Sequence, residues 1–155
     1  MNRDKVAIIT GATGGIGKAV TELFIKEGAN VLMVDLNEDD LVEVAKQIDS
    51  NKLSYLQGDV SNFADNQKAV DLAIERYGGL DILIANAGVV GEIHSITDYD
   101  ESNFDNVMAV NAKGPFLGLK AAIPALTERG GGSVVITSSV AGLTGAPFLL
   151  SLIHI

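Results

Sequence analysis

The sequence predicts an α/β fold, in which a doubly wound parallel β-sheet carries helices on both of its faces. Short apolar runs rich in β-branched residues alternate along the chain with segments whose apolar residues recur every three or four positions. Glycine and small polar residues separate most of these runs and segments. Alternating strands and helices require a parallel sheet with right-handed crossovers. The length of 155 residues suits one such domain.

A strand, a glycine-rich turn and a helix are predicted at the start of the chain. Val6–Thr10 is a short apolar run and is expected to form the first buried strand. A helix is expected to begin near Ile16 and to end near Gly28, because glycine is a preferred residue just after a helix. The residues expected on its apolar face are Ile16, Ala19, Val20, Leu23 and Phe24.

Four more strands and three more helical regions are expected to follow. The strands are predicted at residues 31–34, 53–57, 80–85 and 133–137. Asn37 and Ser61 are typical N-cap residues and are expected to start the second and third helices. The last helical region is expected to be irregular or kinked, because it contains Gly114, Pro115 and Pro124.

The composition excludes several classes of function. The formal net charge of −9 argues against nucleic acid or an anionic membrane as a partner. The chain has no cysteine, which removes disulfides, thiol catalysis and cysteine metal sites and is compatible with the cytoplasm, where we expect the protein to act. No apolar run approaches the roughly twenty residues that span a bilayer. Residues 1–5 lead directly into a predicted strand, so we expect no secretory signal there, and we expect neither a membrane partner nor a metal site.

Polar and glycine residues follow the ends of the predicted strands. In a doubly wound sheet these ends lie at one edge, where ligands bind near the point at which the strand order reverses. The residues concerned are Gly11 to Gly17, Asp35, Asp59, Asn86 to Gly88, and Ser138 with Ser139. The sequence therefore predicts a single site at this edge of the sheet.

The glycine turn is predicted to bind a pyrophosphate. The first turn of a helix has free backbone N–H groups and a partial positive charge, and glycines let a phosphate approach the backbone. The spacing differs from the common G-x-G-x-x-G fingerprint and from a P-loop, so a glycine turn without a ligand stays an alternative. The residues expected to bind a pyrophosphate-containing cofactor here are Gly11, Thr13, Gly14, Gly15, Ile16 and Gly17.

Two carboxylates are expected to bind the adenosine half of such a cofactor. Asp35, with Leu36 beside it, can accept hydrogen bonds from a ribose diol and would repel a 2′-phosphate. No Arg or Lys stands in the glycine turn or beside Asp35, which favours NAD over NADP. Asp59 can accept from the adenine amino group, with the Val60 backbone nearby. The alternatives are a capping or solvated Asp35 and an Asp59 that only closes a turn.

Further polar groups are expected at the reactive end of the site. Asn86, Ala87 and Gly88 are small residues where a cofactor ribose would pass, although Asn86 could also tie strand ends together. Asn111 lies in the apolar stripe of its helix, and a buried amide needs hydrogen-bond partners, for instance at a kink with a bound water. A serine hydroxyl such as that of Ser139 can hydrogen-bond a substrate carbonyl or, alternatively, the loop backbone.

These segments together resemble successive landmarks of the short-chain dehydrogenase/reductase family. The resemblance covers nearly the whole chain and rests on five motifs in order. They are Thr10-Gly-x-x-x-Gly-Ile-Gly17, Asp59-Val60, Asn86-Ala87-Gly88, Asn111 and Ile136-Thr-Ser-Ser-x-x-Gly142. It implies a Rossmann-type oxidoreductase that moves a hydride between a nicotinamide cofactor and a small alcohol or ketone. It also implies that Ser139 orients the substrate oxygen, that Asn111 holds a proton-relay water, and that the full-length enzyme is a homo-oligomer.

The chain departs from this family at the acid/base pair. The family carries a Tyr and then a Lys downstream of its active serine, and these would fall near position 152 and just beyond Ile155; position 152 is Leu. We therefore expect residues 1–155 to be a single dinucleotide-binding domain, truncated after about five strands and inactive alone. A non-catalytic nucleotide-binding protein and an assembly module are the alternatives.

Overall fold

The computed structural model describes residues 4–144, in which five parallel strands form one sheet. The strands are β1 (Val6–Thr10), β2 (Asn30–Asp35), β3 (Leu53–Gln57), β4 (Ile82–Ala85) and β5 (Ser133–Ile136). Their order in the sheet is β3-β2-β1-β4-β5, and every neighbouring pair is parallel. The direction of winding reverses between β1 and β4, which is where a ligand site is expected in such sheets. The predicted fold class is confirmed.

Five α-helices connect these strands within the described range. They are α1 (Gly15–Lys26), α2 (Glu38–Ile48), α3 (Phe63–Tyr77), α4 (Glu101–Met108) and α5 (Gly114–Glu128). A π-helical turn, Ala109–Lys113, joins α4 to α5, and a short 3₁₀ turn, Val140–Gly142, follows β5. The expected departure from the family at position 152 lies outside the described residues.

Two apolar clusters cover the two faces of the sheet. Ile8 of β1 points into the cluster formed with α3 and α5, whereas its neighbour Ile9 packs on the opposite face in the cluster with residues of α1 and α2. Both side chains are buried. Adjacent residues of a strand point to opposite faces, so a strand covered on both sides must be apolar throughout. This explains why β1 and β2 read as unbroken apolar runs.

The third helix begins one residue later than the sequence predicts. Ser61 was the expected N-cap, but the N-cap is Asn62, whose side chain accepts from the Ala64 N–H at 2.8 Å. The Asp59 carboxylate accepts both the backbone N–H and the hydroxyl of Ser61, at 2.8 and 2.7 Å. Because this turn holds the Ser61 hydroxyl, the helix is capped by the next residue that can accept a hydrogen bond.

The expected apolar face of α1 is only partly correct. Ile16 and Leu23 are 62% and 53% exposed, whereas Gly17 and Thr21 are the buried residues of the helix. The helix packs closely through these small residues, and the Thr21 hydroxyl donates to the Gly17 carbonyl at 2.9 Å. Apolar residues at helical spacing do not reveal a buried helix face that consists of Gly and Thr.

The predicted irregularity of the last helical region lies earlier than expected. The π-helical turn at 109–113 precedes Gly114 and Pro115, which begin α5, and Pro124 lies inside that helix. Two strands are also shorter than predicted, since β4 begins at Ile82 and β5 ends at Ile136. Asn37 caps α2 as predicted, accepting from the Asp39 N–H at 2.9 Å.

Asp81 locks the amino-terminal edge of the sheet. Its side chain is 4% exposed and accepts from the Lys5 ammonium at 2.8 Å and the Val6 N–H at 3.0 Å, with the Arg129 Nε atom 3.6 Å away. Burial raises the pKa of the Asp81 carboxyl, but the hydrogen bonds and the two positive charges outweigh it, so the pKa is lowered overall. This carboxylate therefore joins the starts of β1 and β4 to the end of α5.

We expect Asp81→Asn to destabilise the fold at neutral pH by about 1–3 kcal/mol, because Asn leaves these donors without a charged acceptor. The stability that the ionised carboxylate contributes is complete above its unfolded-state pKa of about 3.9, and it is lost as the pH falls through the lower folded-state pKa. Urea unfolding at a series of pH values measures this. The gap between wild type and variant should shrink in acid, and a gap independent of pH would contradict the assignment. The exposed Asp105→Asn is the control.

Candidate functional site

A cavity of about 400 Å³ opens at the carboxyl edge of the sheet, beside the reversal of strand order. Its lining includes every residue predicted to bind cofactor except Gly17. The predicted catalytic residues, Asn111 and Ser139, are not part of the lining. Its lining residues are Gly11, Thr13, Gly14, Gly15, Ile16, Val34, Asp35, Leu36, Gly58, Asp59, Val60, Asn86, Ala87, Gly88, Val89, Val110 and Thr137.

Three glycines of the β1–α1 turn have different structural roles. Gly11 has φ +61°, and a Cβ atom there would lie 2.7 Å from Ala87 Cα. A Cβ atom at Gly17 would lie 2.8 Å from Ala12 Cα, so neither position accepts a side chain without a shift of backbone. A Cβ atom at Gly15 would meet nothing within 4 Å. Gly11 and Gly17 are therefore required by packing, whereas Gly15 leaves open space beside the cavity.

The start of α1 has backbone N–H groups that no capping side chain satisfies. Gly14 is the N-cap and brings no side chain to the exposed N–H groups, and the first turn contains no acidic residue. The N–H groups of Gly15, Ile16 and Gly17 have no acceptor within the helix, and they carry the positive end of the helix dipole. Because Ile16 is 62% exposed, its side chain is at the surface of the cavity and not in the core. Open space and unpaired donors together fit a phosphate group.

The Asp35 carboxylate is neither a helix cap nor merely solvated. One oxygen, Oδ2, accepts from both the backbone N–H and the hydroxyl of Thr13, at 2.9 and 2.7 Å. The other, Oδ1, accepts from the Leu36 N–H at 2.8 Å. Asp35 thus ties the end of β2 to the glycine turn, and Leu36, 58% exposed, forms the adjoining apolar surface.

Asp59 closes a turn, as the alternative to its adenine-binding role anticipated. Its side chain holds Ser61, and its own N–H donates to Asp65 Oδ2 at 3.0 Å. The carbonyl of Val60 accepts from the Asn66 amide at 2.8 Å, and the Val60 side chain lies against Gly114, where a Cβ atom would be 3.0 Å from Cγ2. These contacts hold Asp59 and Val60 in the wall of the cavity.

Asn86 ties strand ends together and also lines the cavity. Its side-chain nitrogen donates to the carbonyls of Thr10 and Gly11, both at 3.2 Å, and its Oδ1 accepts from the Thr137 hydroxyl at 3.1 Å. The Thr10 hydroxyl accepts from the N–H groups of Asn86 and Ala87. Sequence reasoning missed the roles of Thr10 and Thr137, although a threonine that ends an apolar strand before the predicted ligand edge was an available signal.

Asn111 lies in the π-helical turn and fastens the segment after β4. Its Oδ1 accepts from the Val89 N–H and its Nδ2 donates to the Val89 carbonyl, both at 2.8 Å. Val110 of the same π turn lines the cavity. The helix is irregular at this amide, as a π turn, and π turns recur at functional sites. One N–H and one lone pair of the amide remain for a further partner.

Ser139 hydrogen-bonds the loop backbone, as its alternative role anticipated. Its Oγ accepts from the Ala141 N–H at 3.1 Å and caps the 3₁₀ turn. The cavity reaches Thr137, two residues earlier, and includes neither Ser139 nor the exposed Ser138. Because the Ser139 oxygen is the acceptor in this contact, its hydroxyl hydrogen is left to donate.

The charges of the cavity wall are negative. Asp35 and Asp59 are the ionisable residues among the described lining, which contains no Lys, Arg or Tyr. Lys18, in the first helix, donates to the Gln47 side chain at 2.5 Å. The Tyr77 hydroxyl donates to Ser54 and that of Tyr99 to Asn103. Within residues 4–144 no His, Cys, Asp or Glu cluster could hold a metal ion, and no helix is long and apolar enough to cross a membrane.

Known proteins resemble this chain over most of its length. A sequence profile of the family described as short chain dehydrogenase matches residues 5–151. Short-chain dehydrogenase reductase 3a of Arabidopsis thaliana is 41% identical over 144 residues, covering 92% of this chain and 56% of that protein. An uncharacterized oxidoreductase of Thermotoga maritima is 41% identical over 145 residues, covering 92% and 57%. This chain therefore spans little more than half the length of these curated relatives.

Solved structures share the fold. The 3-ketoacyl-(acyl-carrier-protein) reductase from Brucella melitensis, in complex with NADH, superposes with a TM-score of 0.93 and 29% identity, covering 98% of this chain and 64% of that one. NAD⁺-bound xylitol dehydrogenase superposes with a TM-score of 0.89 and 28% identity, covering 97% and 58%. The sheet and helices described above are thus a known scaffold.

Substitutions at the two kinds of glycine in the β1–α1 turn are expected to have different effects on stability. Gly17→Ala should destabilise the fold by about 1–3 kcal/mol, because its Cβ atom would overlap the preceding turn. Gly15→Ala should leave stability unchanged or raise it by up to about 1 kcal/mol, because the methyl group enters open space and the unfolded chain loses entropy. Urea unfolding compares them, and equal losses for both variants would contradict the assignment.

A third prediction concerns Asn111. Asn111→Ala removes both hydrogen bonds to Val89, so we expect a loss of about 1–3 kcal/mol and faster amide hydrogen exchange at Val89. Asn103→Ala, which alters the same loop through Glu92, is the matched control. Unchanged exchange at Val89 in the Asn111 variant would show that the amide does not hold this segment.

Proposed function

Because the chain belongs to the short-chain dehydrogenase family, a family of oxidoreductases, we propose that it binds a nicotinamide dinucleotide, NAD in preference to NADP. The cofactor lies across the cavity at the carboxyl edge of the sheet. We further propose that the reaction of the whole enzyme is hydride transfer between this cofactor and a small alcohol or ketone.

The observation that carries the proposal is the start of α1. The N–H groups of its first turn have no acceptor within the helix, and a methyl group added at Gly15 would meet nothing within 4 Å. A pyrophosphate there would receive hydrogen bonds from the backbone and the favourable field of the helix dipole. The rest of the lining then receives the adenosine, with Asp35 at the ribose and Asp59 with Val60 at the adenine.

The preference for NAD follows from charge. A 2′-phosphate on the ribose would stand beside Asp35, with no cation among the described lining residues to neutralise it. Two like charges about 4 Å apart repel by about 1 kcal/mol even in bulk water, and by more in a partly enclosed cavity. Two of the similar structures were determined with NADH or NAD⁺, which is consistent with this preference.

Ser139 and Asn111 are proposed to act at the reactive end. The nicotinamide ring, when bound, supplies or accepts the hydride. The Ser139 hydroxyl has its hydrogen available and would donate to the substrate oxygen, which fixes the orientation of that oxygen. The unused N–H and lone pair of the Asn111 amide would hold a water for proton relay.

We propose that the 155-residue chain alone binds cofactor without turning over substrate. Reduction of a ketone needs a proton donor, and a phenol with a nearby Lys is a suitable one. Tyr55 lies in β3, and Tyr77 and Tyr99 hydrogen-bond Ser54 and Asn103. No tyrosine therefore faces the cavity within residues 4–144. In this respect the chain by itself acts as a nucleotide-binding module.

Calorimetric titration with NADH and then NADPH tests the proposal, after a cooperative unfolding transition has been verified. We expect NADH to bind at least about tenfold more tightly than NADPH, a difference of about 1.4 kcal/mol. Gly15→Ala should weaken both, because its methyl group enters the pyrophosphate space while the fold is kept. Equal affinity for the two cofactors would overturn the NAD assignment, and no binding by a folded sample would overturn the site.

An activity assay with NAD and simple secondary alcohols accompanies the titration. We expect no turnover above background by the chain alone. If turnover is observed and Ser139→Ala abolishes it, the activity belongs to this site. The chain would then contain its own acid/base group, which contradicts the proposal.

A further inference from the structure

Asn66 is a buried amide of α3 that lies behind the cavity wall and outside its lining. Its exposed fraction is 8%, and a polar side chain that is buried to this extent needs a reason. We propose that Asn66 is a positioning residue for the cofactor base, which holds the turn at residues 59–62 so that the cavity distinguishes adenine from other purines. This inference rests on the proposed cofactor site and adds to it the residue that sets the choice of base.

Both hydrogens of the Asn66 amide nitrogen are used inside the protein. Nδ2 donates to the Val60 carbonyl at 2.8 Å and to the Asn62 carbonyl at 2.7 Å. An amide nitrogen carries two hydrogens, so these two bonds account for its whole donor capacity. Asn66 therefore fixes two carbonyls of the turn from the helix that follows it.

The start of α3 anchors three successive peptide groups of this turn. The Asp59 N–H donates to Asp65 Oδ2, and the Asp59 carbonyl accepts from the Asn62 N–H, both at 3.0 Å. The Val60 carbonyl, in the next peptide group, is the one that Asn66 holds. In a trans peptide group the N–H points away from the C=O. The Val60 N–H shares its peptide group with the Asp59 carbonyl, so it is directed away from the Asn62 N–H.

Two neighbouring groups of the turn have hydrogen-bonding capacity left. Oδ1 of Asp59 receives both the N–H and the hydroxyl of Ser61, whereas no residue within 4–144 donates to Oδ2. The Val60 N–H has no acceptor among the same residues. Because Asp59 and Val60 both line the cavity, a carboxylate acceptor and an N–H donor lie side by side in its wall.

Adenine presents the complementary pair of groups. Its ring nitrogen N1 accepts a hydrogen bond and the neighbouring amino group donates one, which matches the Val60 N–H and Asp59 Oδ2. In hypoxanthine N1 carries a hydrogen and the neighbouring group is a carbonyl oxygen, so donor would face donor and acceptor would face acceptor. Such discrimination requires that the two protein groups keep their orientation. Asn66 supplies that orientation without touching the base.

Calorimetric titration of wild type and Asn66→Leu with NADH and with reduced nicotinamide hypoxanthine dinucleotide tests this inference. Leucine is similar in size and shape to asparagine and cannot donate a hydrogen bond. We expect wild type to bind NADH at least about tenfold more tightly than the hypoxanthine analogue. In Asn66→Leu, NADH binding should weaken about threefold to tenfold and binding of the analogue should change by less than about twofold, because only adenine uses the oriented pair.

Gln67→Leu is the matched control. Gln67 is the neighbouring amide of α3, and its side chain donates to Asp71 and not to the turn, so both affinities should stay as in wild type. Thermal unfolding verifies that each variant is folded. If Asn66→Leu does not unfold cooperatively, Asn66→Ala takes its place, because it removes the same donors without adding an apolar side chain beside Gly118.

The possible outcomes separate this inference from the proposed function. Equal losses for NADH and the analogue in the Asn66 variant would show that the amide only stabilises the turn, and would overturn the inference. NADH binding that the Asn66 variant leaves unchanged, or equal affinity of wild type for the two dinucleotides, also refutes it and leaves the proposed function standing. No NADH binding by folded wild type overturns both.

Discussion

The close approach of α1 to the turn that precedes it is the constraint on which the rest of the site depends. Gly17 lies against Ala12, and Gly11 lies against Ala87, so that side chains at either position would collide with backbone. This contact lets α1 begin after a turn of only four residues, 11–14, at the carboxyl edge of the sheet. Gly15 and Ile16 of its first turn then line the cavity. The proposed anion site thus depends on the packing of two glycines, and it uses N–H groups that every helix possesses.

The polar residues around this turn have structural and proposed ligand-binding roles at once. Asn86 holds the ends of β1 and β5, and Asp35 holds Thr13 against the end of β2. Asn111 holds Val89 in the next segment. Each uses only part of its hydrogen-bonding capacity in these bonds, and Asn86 and Asp35 also line the cavity. A ligand therefore meets groups whose orientation the fold has already fixed, which lowers the entropic cost of binding.

Much of this arrangement could be predicted from the sequence, because it follows from periodicity and from residue types with few alternatives. The five strands were predictable since each is an apolar run closed by turn residues, and the site edge followed from the parallel sheet. Contacts between distant residues were not predictable. The Ser61 hydroxyl is held by Asp59 and so does not cap α3, and the buried face of α1 is formed by Gly17 and Thr21. Such outcomes depend on which polar partners the fold brings together.

Charged side chains of opposite sign lie at the two edges of the sheet, and this distribution affects which ligands the site can bind. At the amino edge the partly exposed Lys5 and Arg129 pair with the buried Asp81, so this positive charge lies at the edge opposite the cavity. At the carboxyl edge Asp35 and Asp59 face the cavity, and backbone N–H groups are its source of positive potential among the described lining. A diphosphate without further charge suits such a site, since it needs only the start of one helix. The proposed preference for NAD depends on this division of charge, because a further phosphate on the ribose would stand beside Asp35 with no cation in the described lining to neutralise it.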